Sequence, residues 1–176
     1  MHEKTGGLPL AVSHQDKVHA MEWIQTPTGL QLWVSGLPAP SGSRRVMPIR
    51  RSDGSQTYRL VADRRLADWI ATVRLVAQQA MQHDPPWRGP VRVGLEFQFP
   101  RPKNHYRGGK PSPDRLRKDA PHLVAKRPDL DKLCRAVLDA LTGVVWVDDA
   151  QVVRLQAIKY FDDPHGVLIV LDRYNI

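Results

Sequence analysis

Leu130, Leu133, Cys134, Val137, Leu138 and Leu141 fall at i, i+3, i+4, i+7, i+8 and i+11. That spacing lays a continuous apolar stripe along an α-helix, and the stripe has to be covered by the rest of the fold. Pro128 precedes it, favouring a helix's first turn and disfavouring the α conformation at Arg127. Gly143 supplies the stop. Asp129, Asp131 and Asp139 stand off the stripe or just before it, and Asp148 and Asp149 follow the reversal. Like charges gathered at both ends of one helix oppose their own ionisation unless a cation neutralises them.

The net charge of +8 is unevenly spread: from Pro128 onward eight Asp face five Lys or Arg, so the first 127 residues hold +11. Arg101 to Arg127 alone has nine basic residues against Asp114 and Asp119. A basic surface beside an acidic site points to a polyanionic partner and a bound cation. The 176 residues suffice for one domain with a core. No apolar run approaches the roughly 20 residues that span a bilayer. The opening Met1-His2-Glu3-Lys4 lacks the basic-then-apolar order of a secretory signal, so a cytoplasmic protein is expected. Cys134 is the single cysteine, which excludes an intrachain disulfide and places it in the stripe as a small core residue. The seven histidines show no HExxH-type spacing, which argues against zinc catalysis.

Residues 1–20 show no sustained period and are expected to be a flexible tail, followed by one domain over 21–176. Met21 to Val34 suggests an irregular hairpin, with Leu30, Leu32 and Val34 alternating in its second arm. Gly36 to Arg45 is a Pro/Gly-rich loop with arginines, leading through Arg50 and Arg51 to a turn at Ser52 to Ser55. Asp63 to about His83 is a long helix with Trp69, Val73, Ala77 and Met81 in its buried stripe. In Val91 to Phe99, five apolar residues alternate with Arg92, Gly94, Glu96 and Gln98, giving a strand with one buried and one polar face. Pro100 to Lys126 reads as a long, structureless basic loop, of the kind that is usually functional or disordered. Val152 to Tyr160 and Gly166 to Leu171 are the closing strands. The expected fold is α+β: a single domain with a mixed β-sheet and two main helices packed on one face.

Asp129 and Asp131 lie where loop passes into helix. Magnesium prefers oxygen ligands and accepts one or two carboxylates with water and substrate phosphate. A third carboxylate would come from Asp148 or Asp149; strand parity with Val153, Leu155 and Ala157 ranks Asp149 above Asp148. Helix capping would explain Asp129 or Asp131 singly. Asp139, four residues from Arg135, is accounted for by an i,i+4 ion pair.

Pro128-Asp129-Leu130-Asp131-Lys132-Leu133, Asp139-Ala140-Leu141-Thr142-Gly143 and Asp148-Asp149-Ala150-Gln151-Val152-Val153 together resemble the core of the RusA family. These are crossover-junction endodeoxyribonucleases that resolve Holliday junctions, often encoded by phages and prophages. The close match runs from Arg127 to Lys159. The resemblance implies that Asp129, Asp131 and Asp149 are Mg²⁺-binding catalytic aspartates. Lys132 replaces the usual asparagine, and Arg135 replaces a lysine that members often carry. Arg135 keeps a positive charge near the scissile phosphate but does not readily donate a proton, so a general-acid role would pass to Lys132 or Lys126.

On this reading Arg44, Arg45, Lys103, Arg107, Lys110, Lys126 and Arg127 contact junction DNA through phosphates. Two symmetric nicks call for two active sites, hence a C2 homodimer. The competing functions are a non-catalytic junction-binding protein, in which the carboxylates only cap and pair, and a nuclease for flap or branched DNA generally.

Overall fold

The computed structural model describes residues 29–42, 45–61 and 63–174. The expected tail, the first arm of the hairpin and Arg44 lie outside the described residues, and Arg45 enters only through its backbone. In chain order the elements are β1 (Leu30–Ser35), β2 (Arg45–Arg50), β3 (Gln56–Val61), helix α1 (Arg64–Met81), β4 (Val91–Phe99), helix α2 (Leu130–Leu141), β5 (Val152–Phe161) and β6 (Gly166–Arg173).

Four strands make one mixed sheet in the order β1-β6-β4-β5, antiparallel except for the β4–β5 pair. A parallel pair requires a long crossover, and α2 with the basic loop before it occupies that crossover. β2 and β3 form a separate antiparallel ribbon. The α+β architecture with two helices against a mixed sheet is thus the one the residue patterns predict.

Val91, Val93, Leu95, Phe97 and Phe99 are buried on the side of β4 that meets the helices. The alternate face departs from the expected polar surface: β4 lies between two strands, and Glu96 is buried there. Its carboxylate accepts a hydrogen bond from the Tyr160 hydroxyl at 2.8 Å. The helix stripes close the other layer, with Trp69, Val73, Ala77 and Met81 from α1 and Leu133, Val137 and Leu141 from α2. Asp63 caps α1, its side chain accepting from the Arg65 amide. Gly166 is required where β6 begins, because a Cβ there would collide with the Val34 carbonyl oxygen and the Trp33 ring. No helix among the described residues is long and apolar enough to cross a membrane.

Candidate active site

Asp129 is the N-cap of α2, and its extended backbone lets its carbonyl accept the Leu133 amide at 3.2 Å. Its side chain makes no capping hydrogen bond. It accepts instead from Lys132 Nζ at 2.7 Å, a pair in which both side chains are about half exposed. That hydrogen bond and the ammonium charge, with smaller help from Arg127 and Lys159, hold the Asp129 carboxyl below the usual carboxylate range. Asp131 lies in the first helical turn with its side chain exposed. Pro128 stands just outside the helix rather than in its first turn.

After α2 the chain reverses through Gly143, whose φ of 77° favours glycine. Thr142 Oγ1 donates to the Leu138 carbonyl and accepts from Trp146 Nε1 at 3.1 Å, so the fully buried indole locks the reversal to the helix end. The next turn, Asp149–Gln151, is a single 3-10 turn held by Gln151. Gln151 Oε1 accepts the Val147 and Asp148 amides, while its Nε2 donates to the carbonyls of Trp87 and Gly89. One side chain therefore pins the acidic turn to the segment leading into β4. Asp148 caps this turn, its Oδ1 accepting from the Ala150 amide at 2.8 Å.

An open pocket of about 620 Å³ lies between α2 and β5. Its polar lining is Asp131, Arg135, Asp139 and Asp149, and its apolar lining includes Leu130, Cys134, Leu138, Leu155 and Ala157. Asp131 and Asp149, from opposite ends of the α2 segment, thus share one pocket. Asp129 and Asp148 do not line it, being turned to Lys132 and to the Ala150 amide.

Two expectations need correction. No ion pair joins Asp139 to Arg135 among the described residues, although both line the pocket. Separation by four residues permits such a pair but supplies little energy to hold it in water. Strand parity also fails as a route to Asp149: a bulge at Val153 interrupts the β4–β5 register, and Val153 and Leu155 are exposed rather than in the core. Asp149 meets the pocket from the turn, not from strand alternation. Cys134 is buried as expected, and burial together with the charge of Asp131 pushes its thiol up to about 11.

The basic segment between β4 and α2 is ordered by three short 3-10 turns and a bridge between Tyr106 and Leu116. Its prolines and glycines make tight turns, where a structureless loop was expected. Lys103, Arg107, Lys110, Lys126 and Arg127 are all exposed. Arg107 also steadies the loop by donating to the Asp114 carbonyl at 2.9 Å. Phe161, at the end of β5, gathers two cations around its ring, the Arg101 guanidinium at 5.6 Å and the Lys126 ammonium at 5.7 Å, and packs edge-to-face with the His105 ring. Burial, then the charges of Arg101, Lys126 and Arg117, lowers the His105 pKa.

Lys159 was not singled out for a role in the sequence. From β5 its ammonium donates to the carbonyls of Lys126 at 2.7 Å and Pro128 at 2.6 Å. It thereby ties the end of the basic loop to the residue before Asp129. Its position on the α2 side of β5, two residues from Ala157, was the only available signal.

Among the described residues no group of three or more His, Cys, Asp or Glu side chains converges as a metal cage. Magnesium does not need one, since it usually keeps several waters and takes one or two carboxylates with phosphate oxygens. Asp131 and Asp149, hard oxygen donors on an open pocket, fit that ion in kind.

The sequence also matches known proteins. It is 31% identical over 98 residues to the uncharacterised protein YqaN of Bacillus subtilis (strain 168), covering 54% of this chain and 68% of that protein. The sequence model of endodeoxyribonuclease RusA matches residues 38–172, taking in both helices, the pocket and the β4, β5 and β6 strands of the sheet but not β1. With most of its length so matched, the chain belongs to the RusA endodeoxyribonuclease family.

Proposed function

We propose that this protein is a Mg²⁺-dependent, structure-selective endonuclease that resolves four-way DNA junctions by paired phosphodiester cleavage in recombination and repair. The observation that supports this most is the sharing of one solvent-open pocket by Asp131 and Asp149, beside Arg135, in a member of an endodeoxyribonuclease family. Asp131 and Asp149 would hold the ion, Asp129 would join them on exchanging the Lys132 ammonium for it, and Asp148 would only support the turn. Bound there, Mg²⁺ would orient and acidify a water for in-line attack on phosphate.

The chain's own cations do the rest. Arg135 offsets charge developing on the phosphate, and Lys132, now paired with Asp129, is available as a second cation and proton donor. Lys103, Arg107, Lys110, Lys126 and Arg127, with Arg44 and Arg45, hold the junction arms by their backbone phosphates. A junction has two strands to cut, so the working form is a C2 homodimer. The setting is a bacterial cytoplasm, with a phage or prophage origin.

The test is cleavage of synthetic four-way junctions, flaps and plain duplex, each with Mg²⁺ and with EDTA. Paired nicks confined to four-way junctions and lost in EDTA are expected. Equal cutting of flaps would broaden the substrate to branched DNA generally, and Mg²⁺-independent binding without cleavage would leave a junction-binding protein.

A further inference from the structure

The β2–β3 ribbon stands outside the main sheet, its six residue pairs running from Arg45–Val61 to Arg50–Gln56. A lone two-stranded ribbon is marginally stable in water, so large apolar side chains exposed on one are costly to keep there. This ribbon exposes Met47 (53%), Ile49 (39%) and Tyr58 (67%). The register distributes them over both faces. Tyr58 lies opposite Pro48, while Met47 and Ile49 fall on the alternate face with Thr57. A flat protein surface, such as a second copy of this chain, would cover only one of those faces. An element inserted between two layers has both covered.

The charge of the ribbon names the layers. By sequence the ribbon holds four arginines, Arg45, Arg50, Arg51 and Arg59, and a single acid, Asp53. Asp53 is occupied within its own turn, accepting from the Ser55 amide at 2.9 Å and the Ser55 hydroxyl at 2.6 Å. The Arg51 amide in turn donates to the Ser55 carbonyl, closing a tight tip that holds Arg50 and Arg51 exposed at its base. Two-stranded ribbons fit DNA grooves, apolar wedges such as Met, Ile and Pro part base steps, and aromatic rings stack on unpaired bases.

We propose that the β2–β3 ribbon enters the branch point of the DNA junction, Tyr58, Met47 and Ile49 packing against bases unstacked at the crossover while Arg50 and Arg51 hold the flanking phosphates. This rests on the junction-endonuclease reading and adds to it an element that opens the substrate.

The test places 2-aminopurine either at the branch point of a four-way junction or within one arm, and titrates the full-length protein in EDTA. Wild type should raise the fluorescence of the branch-point probe several-fold and leave the arm probe unchanged. A Met47→Ala/Ile49→Ala/Tyr58→Ala variant, shown folded by circular dichroism, should lose that rise while still binding, and Tyr58→Phe should retain it. Arg50→Ala/Arg51→Ala should bind more weakly, with a salt slope shallower by about 2. Junction binding without a branch-point rise, or a rise preserved in the triple variant, overturns the ribbon's role alone. A triple variant that instead dissociates a wild-type dimer identifies the ribbon as a self-association surface and also overturns it. Failure of wild type to bind junctions overturns the underlying reading as well.

Discussion

The Lys159 ammonium lies 2.6 Å from the Pro128 carbonyl oxygen, so a residue of β5 grips the backbone immediately ahead of Asp129. The same nitrogen holds the Lys126 carbonyl, and the two bonds fix the path by which the basic loop becomes α2. The acids at the helix start are therefore positioned from across the crossover as well as by the helix itself.

Lys159→Met should remove both bonds while keeping much of the side chain's length. Hydrogen bonds from a charged donor contribute about 1.5–3 kcal/mol in favourable cases, and water reaches this site, so a loss of about 1–2 kcal/mol in urea unfolding is expected. Single-turnover nicking should fall at least about tenfold, with Lys159→Arg partly restoring it. A variant with normal nicking would remove Lys159 from the account of how the site is held.

Lys132 stands against Asp129, one of the two aspartates of the motif that do not line the pocket. A cation bound by Asp129 must displace that ammonium, so Lys132→Asn should lower the Mg²⁺ concentration giving half-maximal nicking. Because the pair is exposed, thermal stability should hardly change. A Mg²⁺ titration that moves the opposite way would show that Lys132 does not compete for the carboxylate.

The Gln151 side chain makes four hydrogen bonds, two accepted and two donated. Replacing it by alanine frees the turn that presents Asp149, at a cost of about 1–3 kcal/mol given unpaired backbone groups. Nicking should drop while junction affinity stays near wild type, because the basic loop is untouched. Parallel losses of binding and nicking would indicate general unfolding instead.

His105 resists protonation in the fold, its pKa lowered by burial and by neighbouring cations. The unfolded chain takes up that proton near pH 6.5, before the folded protein does. Stability is therefore lost as pH falls from about 6.5 through the folded pKa, and no such loss arises above that window. Thermal unfolding between pH 7.5 and 5.5 should show a steeper decline for wild type than for His105→Gln. Equal slopes would remove His105 as the cause.

Much of the frame is legible in the residues because its periods are strong. The Val91 to Phe99 alternation and the Leu130 to Leu141 stripe correspond to β4 and α2 at those bounds. Leu130 and Leu138 belong to the same stripe yet are only partly buried, packing against the core while also lining the pocket, which periodicity alone does not distinguish. The β2–β3 ribbon was hidden because Arg45 to Arg50 mixes Pro48 with arginines and shows no one-sided alternation. Asp139 and Arg135 show the limit of local rules, since spacing allows an ion pair that the described structure does not form. Lys159 and Gln151 act through backbone carbonyls far away in sequence, and such partners exist only after the chain has folded. The motif drew attention to Gln151, but its fork between two segments needed the tertiary structure.

The most direct test of the metal-dependent nuclease is single-turnover nicking of a synthetic four-way junction by wild type, Asp131→Asn and Asp149→Asn, with junction affinity measured in parallel. The account predicts paired Mg²⁺-dependent nicks by wild type, a loss of about a thousandfold or more in each variant, consistent with removal of a transition-state electrostatic contribution, and affinity within a few-fold of wild type. Full cleavage by both variants, or cleavage by wild type in EDTA, would contradict it.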